Sequence, residues 1–145
     1  METSASTRLL VERLRDWFEP CPIPGVVSAR LFGSQSEGRA HRESDVDVAV
    51  LLDRGIHPRR LDRSNVRVDL TSALMGVLHH NEVDVVVLND APPLFARRIL
   101  HEGISLGVAD AESDRAFGDL VRSRAADLQP WLARMGRLKL EALRR

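Results

Sequence analysis

The stretch DVDVAVLL, Asp45 to Leu52, constrains the fold of this chain more than any other. Its valines, alanine and leucines make a buried strand. Successive strand side chains point to opposite faces, so Asp45 and Asp47 share one face while Val46, Val48 and Val50 line the other. Two ionised carboxylates this close repel each other, and burying a polar group without a partner costs about 2 kcal/mol or more even on lenient scales. A divalent cation offsets that cost. Magnesium suits an oxygen-rich site with few fixed ligands, because it keeps several waters and takes one or two carboxylates together with substrate phosphates. The strand therefore implies a sheet with one end given over to a phosphate-bearing substrate. A turn cap at Ser44 and Asp45 accounts for one carboxylate and leaves the second unexplained.

The rest of the chain supplies partners for this strand. VVSARLF (Val26 to Phe32) and EVDVVVLN (Glu82 to Asn89) read as strands, both rich in β-branched residues. From Ser6 to Phe18, Leu9, Leu10, Leu14, Trp17 and Phe18 recur at helical spacing, and EPCPIPG then stops the helix with three prolines and a glycine. Leu61, Leu70, Leu74, Val77 and Leu78 predict a helix between the second and third strands, with Pro58 tolerated in its first turn. APPLFARRILHEG predicts another, with Leu94, Phe95, Ile99 and Leu100 as its apolar stripe and Gly103 as its stop, followed by a short strand ISLGV. From Asp110 onward the pattern is helical. Pro130 removes a backbone bond and crowds the preceding turn, which predicts two helices or a kink. The last piece sets Arg134, Arg137, Lys139, Arg144 and Arg145 against Glu141, with Trp131, Leu132, Met135, Leu138 and Leu143 as apolar surface. That basic stretch serves either a protein partner or simply a solvated helix face.

This alternation predicts an α/β (α+β) fold, a small mixed β-sheet flanked by helices. Residues 1–109 are expected to form its core and residues 110–145 a C-terminal helical extension of the same domain. With 145 residues and 43% hydrophobic composition, one domain with a real core is the expectation. The 21 basic and 21 acidic residues cancel, so net charge indicates no broad footprint for nucleic acid, and direct nucleic-acid binding is not expected. Cys21 is the single cysteine and closes no internal disulfide, which suits a reducing cytoplasm. No apolar stretch approaches the length of a membrane span, and no basic-then-apolar leader opens the sequence; a cytoplasmic protein away from membranes is expected. His79 and His80 sit at a helix end without any Cys/His spacing that would suggest zinc.

The turn LFGSQSEGR, ahead of the two aspartates, has two readings. Ser34 and Glu37 match a capping box at a helix start. Alternatively, Gly33 lets backbone approach a phosphate, while exposed amides and the Ser34 hydroxyl donate to triphosphate oxygens. Asp84 is a further acid inside an apolar strand, VDVVV. One strand neighbour brings it to the same site; otherwise it is an exposed edge residue.

Gly-Ser, ten residues, then Asp-x-Asp leading into a strand resembles the nucleotidyltransferase superfamily of the DNA polymerase β type, its minimal members in particular. The resemblance runs in outline over residues 20–108 and rests on Gly33, Ser34, Asp45, Asp47 and Asp84. It implies that Asp45 and Asp47 are ligands of magnesium, with two ions expected. Asp84 is then the third ligand and candidate base, and Gly33 and Ser34 hold the triphosphate of ATP. Family members often carry an arginine in the turn where this chain has Gln35 and Glu37, so Arg39 or Arg42 is expected to substitute. Nucleotidyltransferases of this size resemble the antitoxin of two-gene modules whose toxin is a HEPN-type ribonuclease, to which AMP is transferred on a tyrosine. The implied partner is such a toxin, in a hetero-oligomer. This chain contains no tyrosine, so the acceptor lies on another molecule or on a different side chain. Two alternatives stay open. One is an antitoxin-like binder without catalysis; the other is a transferase for small molecules of the aminoglycoside type, which normally needs an added substrate-binding domain.

Overall fold

The computed structural model describes residues 5–33, 45–79 and 82–143. In chain order these form helix α1 (Ala5–Phe18), strands β1 (Val26–Phe32) and β2 (Val46–Leu52), helix α2 (Arg60–Leu78) and strand β3 (Val83–Val87). A 3-10 turn (Leu88–Asp90), helix α3 (Pro93–Glu102), strand β4 (Ile104–Val108) and helix α4 (Ala111–Leu143) follow. The four strands make one mixed sheet in the order β3-β2-β1-β4. β1 runs antiparallel to β2 and β4, and β2 runs parallel to β3.

Strand β2 is central and is covered on both faces. Val46, Val48, Val50 and Leu52 pack with Val11, Leu14 and Phe18 of α1 and with Val66, Leu70 and Leu74 of α2. Ala49 and Leu51 face the other way, onto Ala96 and Ile99 of α3 and Val121 of α4. Burial on both sides is why the strand reads as a continuous apolar run after its acids. Alternation puts Asp47 at the head of the second face, in line with Ala49 and Leu51.

Helix α2 docks on a different stripe from the one its leucines suggest. Its buried residues are Arg63, Val66, Leu70 and Leu74, whereas Leu61 is 64% exposed and Val77 is exposed too. Pro58 stands outside the helix, with Arg59 as its N-cap and the Asp62 carboxylate accepting from the Arg59 N–H at 3.1 Å. The surprise in the core is Arg63, only 7% exposed. Its guanidinium grips both Asp90 oxygens at 3.0 and 2.8 Å and donates to the carbonyls of His57 and Pro58, each at 3.1 Å. That clamp ties the 3-10 turn after β3 to the start of α2. In α1, too, the core residues are Thr7, Val11, Leu14 and Phe18, while Leu9 points outward.

Strand β3 ends at Val87, short of the Asn89 that composition suggested. The Asn89 side chain accepts from the Leu52 N–H at 2.9 Å and donates to the Leu52 carbonyl at 2.8 Å, replacing a backbone rung with an amide one. Helix α4 is anchored at its start. Asp114 accepts from Ser28 at 2.6 Å and pairs with Arg30 at 2.8 Å on β1. The helix then continues unbroken through Pro130, which corrects the expectation of two helices. Proline withholds one N–H there, and strong helix formers on both sides carry the turn across. Residues 126–143 are exposed throughout.

Removing the Arg63 partner leaves the Asp90 carboxylate uncompensated. Arg63→Met should lower stability at pH 7 by about 3 kcal/mol, the lower end for a broken buried pair because Asp90 keeps some water. The Arg63 guanidinium also holds the Asp90 carboxyl below the ordinary carboxylate range. The stabilisation is therefore present above the unfolded pKa of about 3.9 and is lost as pH falls through the folded value. Urea unfolding of both proteins from pH 7 down to pH 3 should show the two curves converging in acid.

Candidate active site

The parallel register of β2 and β3 sets Asp47 opposite Asp84, between the pairs Val46 with Val83 and Val48 with Val85. Their side chains lie on the same face of strands about 4.8 Å apart. Asp45 stands immediately before β2 and is exposed. Asp47 is half-buried, and its carboxyl is pushed above the usual range first by burial, then by the charges of Asp84 and Asp45. Among the described residues no arginine or lysine pairs with any of the three acids.

Gly33 completes this end of the sheet. It follows β1 with φ +78°, a left-handed backbone, and any Cβ built on it collides with the Asp47 carboxylate and stands 3.3 Å from its Cγ. Only glycine lets the turn pass so close to the acid. Ser34, Arg39 and Arg42, with the Ser34 to Glu37 capping box, lie outside the described residues.

Among the described residues two recesses share Phe95 of α3 in their linings, one beside Gly33 and one reaching Asp84. One, about 160 Å³, is lined by Phe32, Gly33, Phe95, Arg98, Ile99 and Glu102. The other, about 430 Å³, runs from Asp84 along α2 and under Pro92 and Phe95. Phe95 meets Phe32 edge to face at 5.9 Å and is 41% exposed, a wall of the site where helical spacing suggested core. Two prolines open α3 ahead of it, as N-cap and first helical residue.

The donor set is all hard oxygen, which fits magnesium better than a softer ion. Among the described residues no group of three or more His, Cys, Asp or Glu stands ready to hold a metal. The arrangement is therefore a facing pair, Asp47 and Asp84, with Asp45 close enough to be felt electrostatically.

A mixed four-stranded sheet with helices on both faces, and acids paired beside a glycine turn, defines an α/β domain of the nucleotidyltransferase class. Residues 22–112 match the family described as Polymerase beta, Nucleotidyltransferase, and the chain belongs to that family. It is 32% identical over 97 residues to the protein adenylyltransferase MntA of Shewanella oneidensis, an alignment covering 67% of this chain and 61% of that protein. The chain thus matches about three-fifths of the curated relative's length. Among solved structures it is similar to a chain of a toxin–antitoxin crystal structure with AMP-PNP, at 27% identity and TM-score 0.65, covering 92% of this chain and 98% of that one. It also shares the fold of a chain from the Shewanella oneidensis complex of a tri-AMPylated HEPN toxin with MNT antitoxin. That match has 24% identity and TM-score 0.59, and covers 95% and 99% of the two chains.

Two outcomes follow from the crowding around Asp47. Its folded pKa is raised, so the charged carboxylate opposes folding above that value, and the penalty fades as pH falls toward the unfolded pKa. Asp47→Asn should therefore melt higher than wild type at pH 7, with the gap closing by about pH 4, near the ordinary carboxylate pKa. Gly33→Ala should be destabilised by about 1–2 kcal/mol from the left-handed backbone alone. Pairing it with Asp47→Gly, which removes the colliding carboxylate, should recover the collision part of the loss in chemical denaturation.

Proposed function

We propose that this protein is a magnesium-dependent protein adenylyltransferase that moves AMP from ATP to a tyrosine hydroxyl of a HEPN-type toxin, and so acts as its antitoxin in a hetero-oligomer. The observation that carries this reading is the pair Asp47 and Asp84, set opposite each other by the β2–β3 register, with a glycine turn closed onto one of them. The relatives with an adenylyltransferase name and a toxin–antitoxin setting support it.

In this reading Asp45 and Asp47 hold magnesium, with Asp84 as third ligand, and two ions are expected. When bound, magnesium neutralises phosphate charge and lowers the pKa of the attacking hydroxyl. Gly33 gives the triphosphate access to backbone amides, and Ser34 donates its hydroxyl to a phosphate oxygen. Arg39 or Arg42 supplies the cation that Gln35 and Glu37 do not. Asp84 takes the proton of the acceptor hydroxyl. The hydroxyl oxygen forms a bond to the α-phosphorus as the bond to the bridging oxygen breaks, and pyrophosphate leaves with that electron pair. The absence of tyrosine from the chain means that transfer to its own tyrosine does not compete with the partner. The cytoplasm, where ATP and a ribonuclease target coexist, is the proposed location, and among the described residues no helix is long and apolar enough to cross a membrane.

Incubation with magnesium, ATP and a HEPN-type toxin encoded beside it should add AMP to the toxin by intact mass, and chelation should stop it. Asp47→Asn should abolish the transfer while staying folded, and Asp84→Asn should cost about a hundredfold or more in rate if it is the base. Magnesium-ATP should raise the melting temperature of wild type far more than ATP alone. A toxin that is bound and silenced without any mass change, with no shift from magnesium-ATP, would leave a binding-only antitoxin.

A further inference from the structure

The larger recess lies beyond Asp84, at the β3 edge of the sheet, whereas Gly33 closes on Asp47 from the β1 side. Helix α2 presents Arg60, Ser64 and Arg67 to it, at i, i+4 and i+7 on one helix face. Of the three arginines in this part of α2, Arg63 is consumed by Asp90 and by two carbonyls. Among the described residues Arg60 and Arg67 are paired with no carboxylate, and Arg60 adds only longer-range charge to Asp90. Asp90 also lines the recess, but Arg63 neutralises it. Among the described residues the cleft is left with two guanidinium groups paired with no carboxylate, one hydroxyl, and an apolar wall of Pro92 and Phe95, with the exposed Asp84 of the edge strand on its lining. Its volume of about 430 Å³ is in the range of small-ligand sites and takes an aromatic ring with one neighbouring group.

We propose that this cleft is the acceptor subsite, in which Arg60 and Arg67 hold an anionic group adjacent to the acceptor hydroxyl while Phe95 and Pro92 cover the ring that bears it. The role of the hydroxyl rests on the transfer reading above; the capture of the anion does not. Two sources supply the same anion: an acidic side chain flanking the acceptor tyrosine, or the phosphodiester of an AMP already attached to that tyrosine, in which case a ribose hydroxyl of that AMP is the acceptor. Guanidinium groups grip either by charge-assisted hydrogen bonds. ATP phosphates are served from the opposite side, at the glycine turn, so loss of these arginines separates acceptor binding from nucleotide binding.

The test uses the full chain, labelled for NMR, and three short tyrosine peptides: one flanked by alanines, one by glutamates, and one flanked by alanines with AMP on its tyrosine. A glutamate-flanked or AMP-bearing peptide should bind about tenfold more tightly than the neutral one, worth about 1.4 kcal/mol, and shift the amides of Ser64, Arg67 and Ala91. Preference for one of the two names the source of the anion. The double variant R60A/R67A should lose that preference while keeping the melting temperature and its rise with magnesium-ATP. Equal affinity for all three peptides in wild type would overturn the subsite, as would loss of the magnesium-ATP shift in the double variant with peptide binding intact. Anion-dependent binding without any transfer of AMP would leave the subsite standing and remove the transferase reading; transfer with equal KM for all acceptors would do the reverse.

Discussion

Everything at this end of the molecule depends on the parallel pairing of β2 with β3, which brings Asp47 and Asp84 face to face. A slip of one residue in that register would turn every β3 side chain to the opposite face and carry Asp84 into the core shared with α1 and α2. The register holds because Val83, Val85 and Val87 are buried on the face away from the acids, against α2. Hydrophobic burial along one side of a strand therefore sets the position of a charge on the other. The clamp of Arg63 on Asp90 and the amide of Asn89 on Leu52 fix the end of the same strand, so the acid at its start has little freedom to drift.

The site is a place where folding and function pull in opposite directions. Asp47 is partly withdrawn from water, faces a second carboxylate, and has a third nearby, all of which disfavour its charged form. Gly33 closes on it in a backbone conformation that other residues adopt only with strain. None of this helps the apo protein fold. It is tolerated because β2 is packed on both faces, and it makes sense if a hard cation and an anionic substrate complete the site. Among the described residues the electrostatic layout then divides: acids without a basic partner at the sheet end, and Arg60 and Arg67 without a carboxylate partner on the helix beside it.

The long helix α4 shows another division of labour. Its first turns are tied to the sheet by Asp114, Ser28 and Arg30 and by the buried Val121 and Ala125. Beyond residue 125 the helix leaves the core, and Trp131, Leu132, Met135 and Leu138 stay exposed. Apolar spacing there was readable, but spacing identifies a helix and not what covers it.

Local rules placed most of the elements, though not the unbroken run of α4 through Pro130 or the end of β3 at Val87. β-Branched composition and alternation placed the strands, Asp45 and Asp47, because side-chain direction in a strand repeats every two residues and needs no partner to be known. Gly33 was legible for the same reason, as a turn residue beside those acids. The role of Arg63 as a core clamp, the outward turn of Leu61, and the position of Phe95 as a wall were not, since a helix written with scattered apolar residues can dock on more than one stripe. Asp84 sat between the two cases: its identity as an acid in an apolar strand was plain, but whether it met Asp47 depended on which strand became its neighbour and in what register. Local pattern was enough to mark Asp45, Asp47 and Asp84 as acids at odds with an apolar strand. Only the tertiary structure decided which of them meet, because contacts between strands more than thirty residues apart are set by packing of the whole sheet and not by any local preference.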